Sequence, residues 1–200
     1  MITVALTKGR LFKDFIKYME ENGLNDYIGA LTGETRSLYT VVAGVKFIFA
    51  KGPDVPTYVE SGVADLGIVG SDIITEDAFN ILNVSRLPFG DCHFSVAALP
   101  GQEVFGTIAT KYTNVAFEHF KSRKMDVSLV HLNGSVELAP LLGLSDAIVD
   151  IVQTGGTLRD NGLIEYEKIM DIHARLIANK RTFYTKEDDI YEFLKEIGVV

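Results

Sequence analysis

The chain has 200 residues, of which 47% are hydrophobic and 23% charged, a balance that is typical of a folded globular protein and excludes collagen, coiled coil and disorder. The net charge of −8 comes from 27 acidic and 19 basic residues, which argues against nucleic acid as a partner because such binding needs an electropositive surface. Without an apolar run near ~18 residues or a signal-peptide pattern, we expect a cytoplasmic protein that does not contact a membrane.

Strand and helix patterns alternate along the first half of the chain. Residues 2–7 are predicted as a strand, and apolar side chains then recur at helical spacing until Gly23 ends the helix. A second strand is predicted at 45–50, followed by a short helix that is entered through proline and closed by Gly62. The near-continuous apolar run 64–70 is typical of a strand covered on both faces.

The second half repeats this alternation. A helix is predicted over 115–124 with Phe117 and Phe120 facing inward, and another over 134–143 with Ser135 as its cap. Strands are predicted at 93–99, 106–110, 127–132 and 146–152. Alternating strands and helices indicate an α/β fold with largely parallel sheets.

The last part of the chain is less regular. Residues 165–178 fit neither period cleanly, and we interpret them as a long strand that crosses between layers. Thr185 and Asp188 resemble a capping box ahead of an amphipathic C-terminal helix. No low-complexity linker divides the chain, so two lobes would be joined by strands.

Small and hydroxyl residues follow four of these strands. In open α/β sheets, ligands bind beyond the carboxyl ends of the strands, where helix N-termini attract anions. The alternative at each strand end is an ordinary connecting loop, in which glycine supplies conformational freedom and Ser, Thr or Asp caps the next helix. The four junctions are Thr7 to Arg10, Gly70 to Asp72, Asn133 to Ser135 and Gln153 to Thr157.

The stretch DIVQTGGTL, residues 150–158, has the residue types of an anion loop. Its glycines allow backbone amides to approach an anion, and Thr154 and Thr157 add hydroxyl donors. Asp150 supplies a carboxylate that could share a Mg²⁺ ion with a phosphate. A simple Gly-Gly turn is the alternative. The P-loop and Rossmann glycine motifs are absent from the sequence, so neither explains the stretch.

Four cations are candidates for binding an anionic ligand, although ordinary exposed charges remain the alternative for each. They are Lys8, Arg10, Arg36 and Lys51. The four histidines lack metal-ligand spacing, so a zinc site is not expected. The absence of a GxSxG motif leaves a serine hydrolase unsupported.

The junctions carry a resemblance to a known family. The matching segments are ALTKGRL (5–11), AKGPDVPTYVESGVADLGIVGSD (50–72), IATKYTNVA (108–116) and NGSVELAPLLGLSDAIVDIVQTGGTLRDNGL (133–163). In this order they resemble the short form of ATP phosphoribosyltransferase, the enzyme that opens histidine biosynthesis. Two prolines common in the family are replaced by Thr7 and Thr113, which affects local rigidity but changes no charged residue.

The resemblance implies a two-lobed fold of the type II periplasmic-binding-protein kind, with the active site in the interlobe cleft. Residues 1–89 and 178–200 would form lobe I. Residues 90–177 would form lobe II, inserted in the first and carrying the loop for phosphoribosyl pyrophosphate (PRPP).

The resemblance also implies the reaction, in which N1 of the ATP adenine attacks C1 of PRPP and expels pyrophosphate with the help of Mg²⁺. Asp150 or Glu137 are the candidate metal ligands. The implied catalytic residues are Arg10, Lys51, Glu137 and Asp150. The implied PRPP contacts are Asp150, Thr154, Gly155, Gly156, Thr157 and Leu158. The implied ATP contacts are Lys8, Gly9, Arg10, Arg36, Lys51 and Asp72.

Short-form members work with a separate regulatory subunit that resembles histidyl-tRNA synthetase, so the resemblance implies a hetero-oligomer, a hetero-octamer. The resemblance to the short form also leads us to expect no histidine-binding domain of the kind that longer members carry. The alternative function is a non-catalytic cytoplasmic module of the same fold that binds a small anion. A type I phosphoribosyltransferase is disfavoured, because Ile151 stands where that class usually has a second acidic residue before its loop.

Overall fold

The computed structural model describes residues 1–33 and 37–199. The strands of these residues are β1 (Ile2–Thr7), β2 (Tyr39–Val42), β3 (Val45–Ala50), β4 (Leu66–Gly70), β5 (Leu82–Arg86), β6 (Cys92–Ala98), β7 (Thr107–Thr110), β8 (Ser128–His131), β9 (Ala147–Val152), β10 (Ile164–Ile172) and β11 (Ala174–Ala178).

The helices alternate with these strands along most of the chain, as the sequence predicts. They are α1 (Arg10–Glu21), α2 (Asn25–Thr32), α3 (Val55–Glu60), α4 (Ser71–Glu76), α5 (Thr113–Ser122), α6 (Leu138–Leu141), α7 (Gly156–Asp160), α8 (Lys180–Thr185) and α9 (Glu187–Glu196). A 3₁₀ turn at Gly52–Asp54 precedes α3. In the described part of the chain, no helix combines the length and apolar character needed to cross a membrane.

Contacts within the chain group the residues into two units. The first comprises Met1–Ile74, Ala78–Gly90 and His173–Val200, and the second comprises Thr75–Asp77 and Asp91–Ile172. The short segment around Glu76 belongs with the second unit because its carboxylate accepts hydrogen bonds from the N–H groups of Asn114 and Val115 at the start of α5.

The first unit is built on a six-stranded sheet with the order β2-β3-β1-β4-β11-β5. β1 runs parallel to both β3 and β4, whereas β11 runs antiparallel to β4 and β5. Phe15 and Met19 of α1 are four residues apart, so they lie on one helix face, and both are buried. Tyr27, Phe47 and Phe193 meet edge to face, with ring centroids 5.9 to 6.4 Å apart. This aromatic cluster joins α2, β3 and α9 in one core.

The second unit is built on a five-stranded sheet with the order β10-β6-β9-β7-β8. β7 is parallel to β8 and β9, and β6 is antiparallel to β9 and β10. One face buries Phe94 and Tyr112 with Phe120 of α5. The other face buries Ile148 and Val152 under α6 and α7. Helices on both faces account for the near-continuous apolar run of β9.

The irregular segment 165–178 is two consecutive strands, β10 in the second sheet and β11 in the first, which confirms a strand run that passes from one layer to the other. The interruption falls at His173, whose N–H donates to the Ser71 hydroxyl. Because β11 pairs with β4 and β5, residues 173–177 group with the first unit, although the expected boundary placed them in the second.

Three local predictions were wrong. Phe117 is 50% exposed because the buried face of α5 is formed by Val115, Ala116, His119 and Phe120. Ser135 is not a helix cap, because α6 begins only at Leu138, with Glu137 at its cap position and no side-chain cap bond; Ser135 itself has a left-handed φ of 50°. Thr185 is the last residue of α8, and the cap position of α9 is Lys186, which makes no side-chain cap bond.

Candidate active site

The parallel strands of the second sheet end at one edge. Because β7, β8 and β9 are parallel, their carboxyl ends lie side by side. The buried Thr110 hydroxyl donates to Val149 O at 2.7 Å and accepts from the N–H of Tyr112 at 2.9 Å. This bridge fixes the turn after β7 against β9, which leads into the glycine loop.

The loop after β9 has the geometry of an open helix start. Gly155 adopts a left-handed conformation with φ 69° and ψ 11° and occupies the cap position of α7. The first four N–H groups of a helix have no partner within that helix. In α7 these are the N–H groups of residues 155–158. Thr154 and Thr157 are exposed, so their hydroxyls are accessible beside those N–H groups.

Leu158 differs from the other predicted contacts of the loop. Its side chain is 6% exposed and packs in the cluster that contains Val152 and Leu163. Only its backbone N–H is therefore left to meet a ligand. The side chain instead anchors α7 on the sheet, which holds the glycine loop in place.

Asp150 lies on β9, opposite Ser95 of β6. Strand alternation places its side chain on the same face as Ile148 and Val152, the face covered by α6 and α7. Burial raises the pKa of the Asp150 carboxyl from 3.8 to about 6. A hydrogen bond with the Ile151 backbone opposes the shift, the charge of Glu137 adds to it, and the charge of Lys111 opposes it. With a pKa of about 6, the carboxyl is mostly ionised at pH 7.

Two charged groups therefore act on Asp150 from neighbouring elements. Glu137, which was predicted as a site residue, is half-buried just ahead of α6. Lys111 follows β7 and is exposed, and no role was predicted for it. The sequence could have indicated Lys111, because a residue that directly follows a strand lies at the carboxyl edge of a parallel sheet, where ligands bind.

In the first sheet too, predicted nucleotide contacts follow the carboxyl ends of strands. The N–H of Lys8 donates to Ala50 O at 3.2 Å, so the ends of β1 and β3 are joined just before Lys51. A Cβ on Gly52 would lie 3.1 Å from Ile73 Cδ1 and 3.2 Å from Thr7 Oγ1. The chain after β3 therefore lies against both the end of β1 and the start of α4.

The remaining predicted contacts of the first unit lie beside these residues. Gly9 has a φ of 106° and precedes α1. Arg10 is the first residue of α1, and its guanidinium Nη1 lies 3.9 Å from the carboxylate Oδ2 of Asp14. Asp72 stands in the first turn of α4, and its carboxylate folds back over Gly70. Arg36 lies outside the described residues. Lys8, Gly9, Arg10 and Lys51 are all exposed.

The described residues contain no group of three or more His, Cys, Asp or Glu side chains arranged to hold a metal ion. A dedicated protein cage for a cation is therefore absent from residues 1–33 and 37–199. Asp150 and its neighbour Glu137 offer two carboxylates at the loop, which is the smaller donor set that Mg²⁺ uses together with substrate oxygens.

Known proteins with similar sequences share one description. The sequence model for ATP phosphoribosyltransferase matches residues 51–198. The ATP phosphoribosyltransferase of Staphylococcus carnosus is 50% identical over 200 residues, covering 100% of this chain and 98% of that protein. The one from Staphylococcus saprophyticus is 48% identical over 199 residues, covering 100% and 97%.

Solved structures agree on the fold. The ATP phosphoribosyl transferase (HisG:HisZ) complex from Thermotoga maritima contains a chain that is 30% identical, with a TM-score of 0.84 and coverage of 98% of this chain and 96% of that one. The periplasmic aliphatic sulphonate binding protein SsuA from Escherichia coli is 10% identical with a TM-score of 0.65, and covers 98% and 70%. This second likeness confirms the periplasmic-binding-protein-like α/β fold alone. By sequence and by fold, the chain belongs to the ATP phosphoribosyltransferase family.

Proposed function

We propose that this chain transfers the 5-phosphoribosyl group of PRPP to N1 of ATP, giving 1-(5-phospho-D-ribosyl)-ATP and pyrophosphate, as the first step of L-histidine biosynthesis. One observation carries the proposal. A chain 50% identical to a named ATP phosphoribosyltransferase places Asp150 and the loop of residues 153–157 together at the carboxyl edge of a sheet. Because ATP and PRPP are made inside the cell, we expect the protein to act in the cytoplasm.

The reaction needs positioning more than it needs a protein nucleophile. The adenine N1 supplies the electron pair that forms the new bond to C1, and pyrophosphate leaves with the pair of the broken C–O bond. The loop would hold the ribose 5-phosphate through the N–H groups at the start of α7 and through the hydroxyls of Thr154 and Thr157. Asp150 would accept hydrogen bonds from the ribose hydroxyls, since it is an ionised carboxylate beside the loop.

The cations of the first unit would bind the negative charges of ATP and of the departing pyrophosphate. Lys8 and Lys51 lie at the joined ends of β1 and β3, and Arg10 begins α1 two residues after Lys8. Preformed cations stabilise charge as it develops on a leaving group. Gly9 would let the backbone approach the nucleotide, and Asp72 would bind a sugar hydroxyl. Arg36 is retained from the family resemblance.

Magnesium is proposed as the cofactor, with Asp150 and Glu137 as the side chains that would hold it beside PRPP oxygens. Burial is the main cause of the raised pKa of Asp150, and the charge of Glu137 adds to it. The fit of the two side chains rests on this repulsion between their carboxylates, which a cation bound between them would relieve. When bound, Mg²⁺ supplies positive charge that stabilises the pyrophosphate as it leaves.

A regulatory subunit is the proposed partner. The Thermotoga maritima structure is a HisG:HisZ complex, and its matching chain has almost the same length as this one. We therefore expect a partner of the HisZ kind, resembling histidyl-tRNA synthetase, in a hetero-oligomer.

The direct test measures pyrophosphate release and adenine alkylation. The purified chain, with and without a HisZ-type subunit, is mixed with ATP, PRPP and Mg²⁺, and product is identified by mass. Omission of PRPP or replacement of ATP by GTP serves as the control. A folded chain that makes no phosphoribosyl-ATP in any of these mixtures would refute the proposal.

Removal of Lys111 is expected to shift the pH profile of PRPP binding. The positive charge of Lys111 opposes the rise in the pKa of Asp150, so Lys111→Ala should move that pKa further above 6, by about half a unit for an exposed cation. PRPP binding should then weaken most at pH 6 and recover by pH 8. The Asp150 carboxyl titration, followed by carbon NMR in the free protein, checks the cause. Lys121→Ala, which removes an exposed cation from α5, is the control; an unshifted Asp150 titration in Lys111→Ala would contradict the assignment.

A further inference from the structure

Arg159 lies in α7, two residues after Thr157, and reaches back to the loop. Its Nη1 donates to the backbone carbonyl of Thr154 at 2.9 Å. Thr154 O precedes the helix, so this carbonyl belongs to the loop and not to the hydrogen-bond ladder of α7. The side chain of Arg159 is exposed, so its burial does not dictate this position.

The bond fixes the direction of one loop N–H group. The peptide unit between Thr154 and Gly155 is planar and trans, so its carbonyl and its N–H point in opposite directions. Because the carbonyl of Thr154 points at the guanidinium, the N–H of Gly155 points away from Arg159. This N–H is the first of the four that α7 leaves without an internal partner. Arg159 therefore orients the N–H of Gly155 without occupying the space toward which that N–H points.

Gly155 makes room for the guanidinium. A Cβ at this position would lie 3.0 Å from Arg159 Nη1 and 3.9 Å from Val152 Cγ1. The glycine thus serves two needs, a left-handed backbone and the close passage of the guanidinium over it.

The guanidinium borders open space. A cavity of about 320 Å³ is lined by Arg159 together with the loop residues Gln153, Thr154 and Gly155 and with His93 and Glu165. The hydrogen bond to Thr154 O is the contact that holds the guanidinium at the loop.

We infer that Arg159 is a positioning residue for PRPP, which holds the Thr154–Gly155 peptide so that the loop N–H groups converge on the 5-phosphate. The inference rests on the proposed function, because it names how that same loop is kept ready for its substrate. Arg159 acts through the loop backbone and does not touch the phosphate.

The test compares Arg159→Ala, Arg159→Lys and a matched control, Arg123→Ala, which truncates an exposed arginine of the same unit that pairs with Glu167. Loss of one charge-assisted hydrogen bond should raise the KM for PRPP about tenfold in Arg159→Ala and leave the KM for ATP unchanged. Arg159→Lys retains one donor for Thr154 O and should fall between the wild-type chain and Arg159→Ala. Arg123→Ala should match the wild-type chain in both KM values.

A second measurement does not depend on catalysis. The backbone order parameters of the loop, residues 154–157, are measured by amide nitrogen relaxation in the free protein with no substrate added. In Arg159→Ala they should fall below about 0.6, and the strand β9 should keep values near about 0.85. If the wild-type chain makes no product, the proposed function fails, whereas the relaxation result still tests the effect on the loop.

Three outcomes would overturn the inference in a folded protein. A KM for PRPP within twofold of the wild-type value would show that the bond is dispensable. Loss of PRPP affinity with unchanged order parameters in the loop would mean that Arg159 contacts the phosphate directly. An Arg159→Lys variant as impaired as Arg159→Ala would mean that a donor to Thr154 O is not sufficient.

Discussion

Asp150→Asn is expected to make the protein more stable at pH 8 while removing most of its PRPP binding. Burial keeps the native pKa of Asp150 at about 6, against an ordinary value of 3.8. The carboxyl therefore binds more protons in the native than in the unfolded state between these two pH values, and the free energy of unfolding falls as pH rises through this window. Above pH 6 the ionised group costs the native state about 3 kcal/mol, which an uncharged amide does not incur.

The pH dependence separates this cause from ordinary changes in packing. The stability gained by Asp150→Asn should be near zero at pH 4, grow between pH 4 and 6 and level off above that. Urea unfolding at a series of pH values measures it, with the second unit followed by its own probe. A gain of equal size at pH 4 and pH 8 would show that the penalty does not come from ionisation.

The same substitution should lower kcat/KM for PRPP by 10- to 100-fold, the cost of about 1.5–3 kcal/mol for losing a charged acceptor of hydrogen bonds. Asp146→Asn is the matched control. The Asp146 carboxylate accepts from the N–H groups of Gly106 and Thr107, each at 2.8 Å, so its charge stabilises the fold. We expect Asp146→Asn to lose about 1 kcal/mol of stability and to keep the wild-type KM for PRPP, the reverse of Asp150→Asn on both counts.

Strand positions were the most predictable part of the molecule. The predicted strands 2–7 and 45–50 coincide with β1 and β3, because both segments are rich in the β-branched and aromatic residues that favour strands. Ends of strands were predictable for the same reason, and they locate Lys8 and the loop of residues 153–157 at sheet edges.

Contacts that depend on the neighbouring element were not predictable. The inward face of α5 depends on how that helix lies on the sheet, and a single apolar residue such as Phe117 fits either side. Leu158 looked like part of the anion loop, but its side chain is needed to attach α7 to the core. The influence of Lys111 on Asp150 arises because β7 and β9 are neighbours, although they are far apart in the sequence.

Thr157→Val is expected to weaken PRPP binding strongly with almost no change in folding. Valine keeps the β-branched shape of threonine and removes only the hydroxyl. Thr157 is exposed in the first turn of α7, so the substitution neither opens a cavity nor buries a polar group. Its effect on the free energy of unfolding should stay within about 0.5 kcal/mol, as is usual for surface substitutions.

The loss of affinity follows from the charge of the phosphate. A hydroxyl that donates to a phosphate oxygen contributes about 1.5–3 kcal/mol, so the dissociation constant for PRPP should rise about 10- to 100-fold. The KM for ATP should stay unchanged, because the loop belongs to the second unit and the predicted ATP contacts to the first. Isothermal titration with PRPP, together with steady-state kinetics for both substrates, measures the two effects.

Thr57→Val provides the matched control, since Thr57 is an exposed threonine in the first turn of α3. It should leave both KM values and the melting temperature unchanged. Gly155→Val is a poorer probe, because a β-branched residue at a φ of 69° strains the backbone and its Cβ would crowd Arg159. Wild-type PRPP affinity in a folded Thr157→Val protein would place the 5-phosphate elsewhere, since the hydroxyl of Thr157 cannot be both a phosphate donor and dispensable.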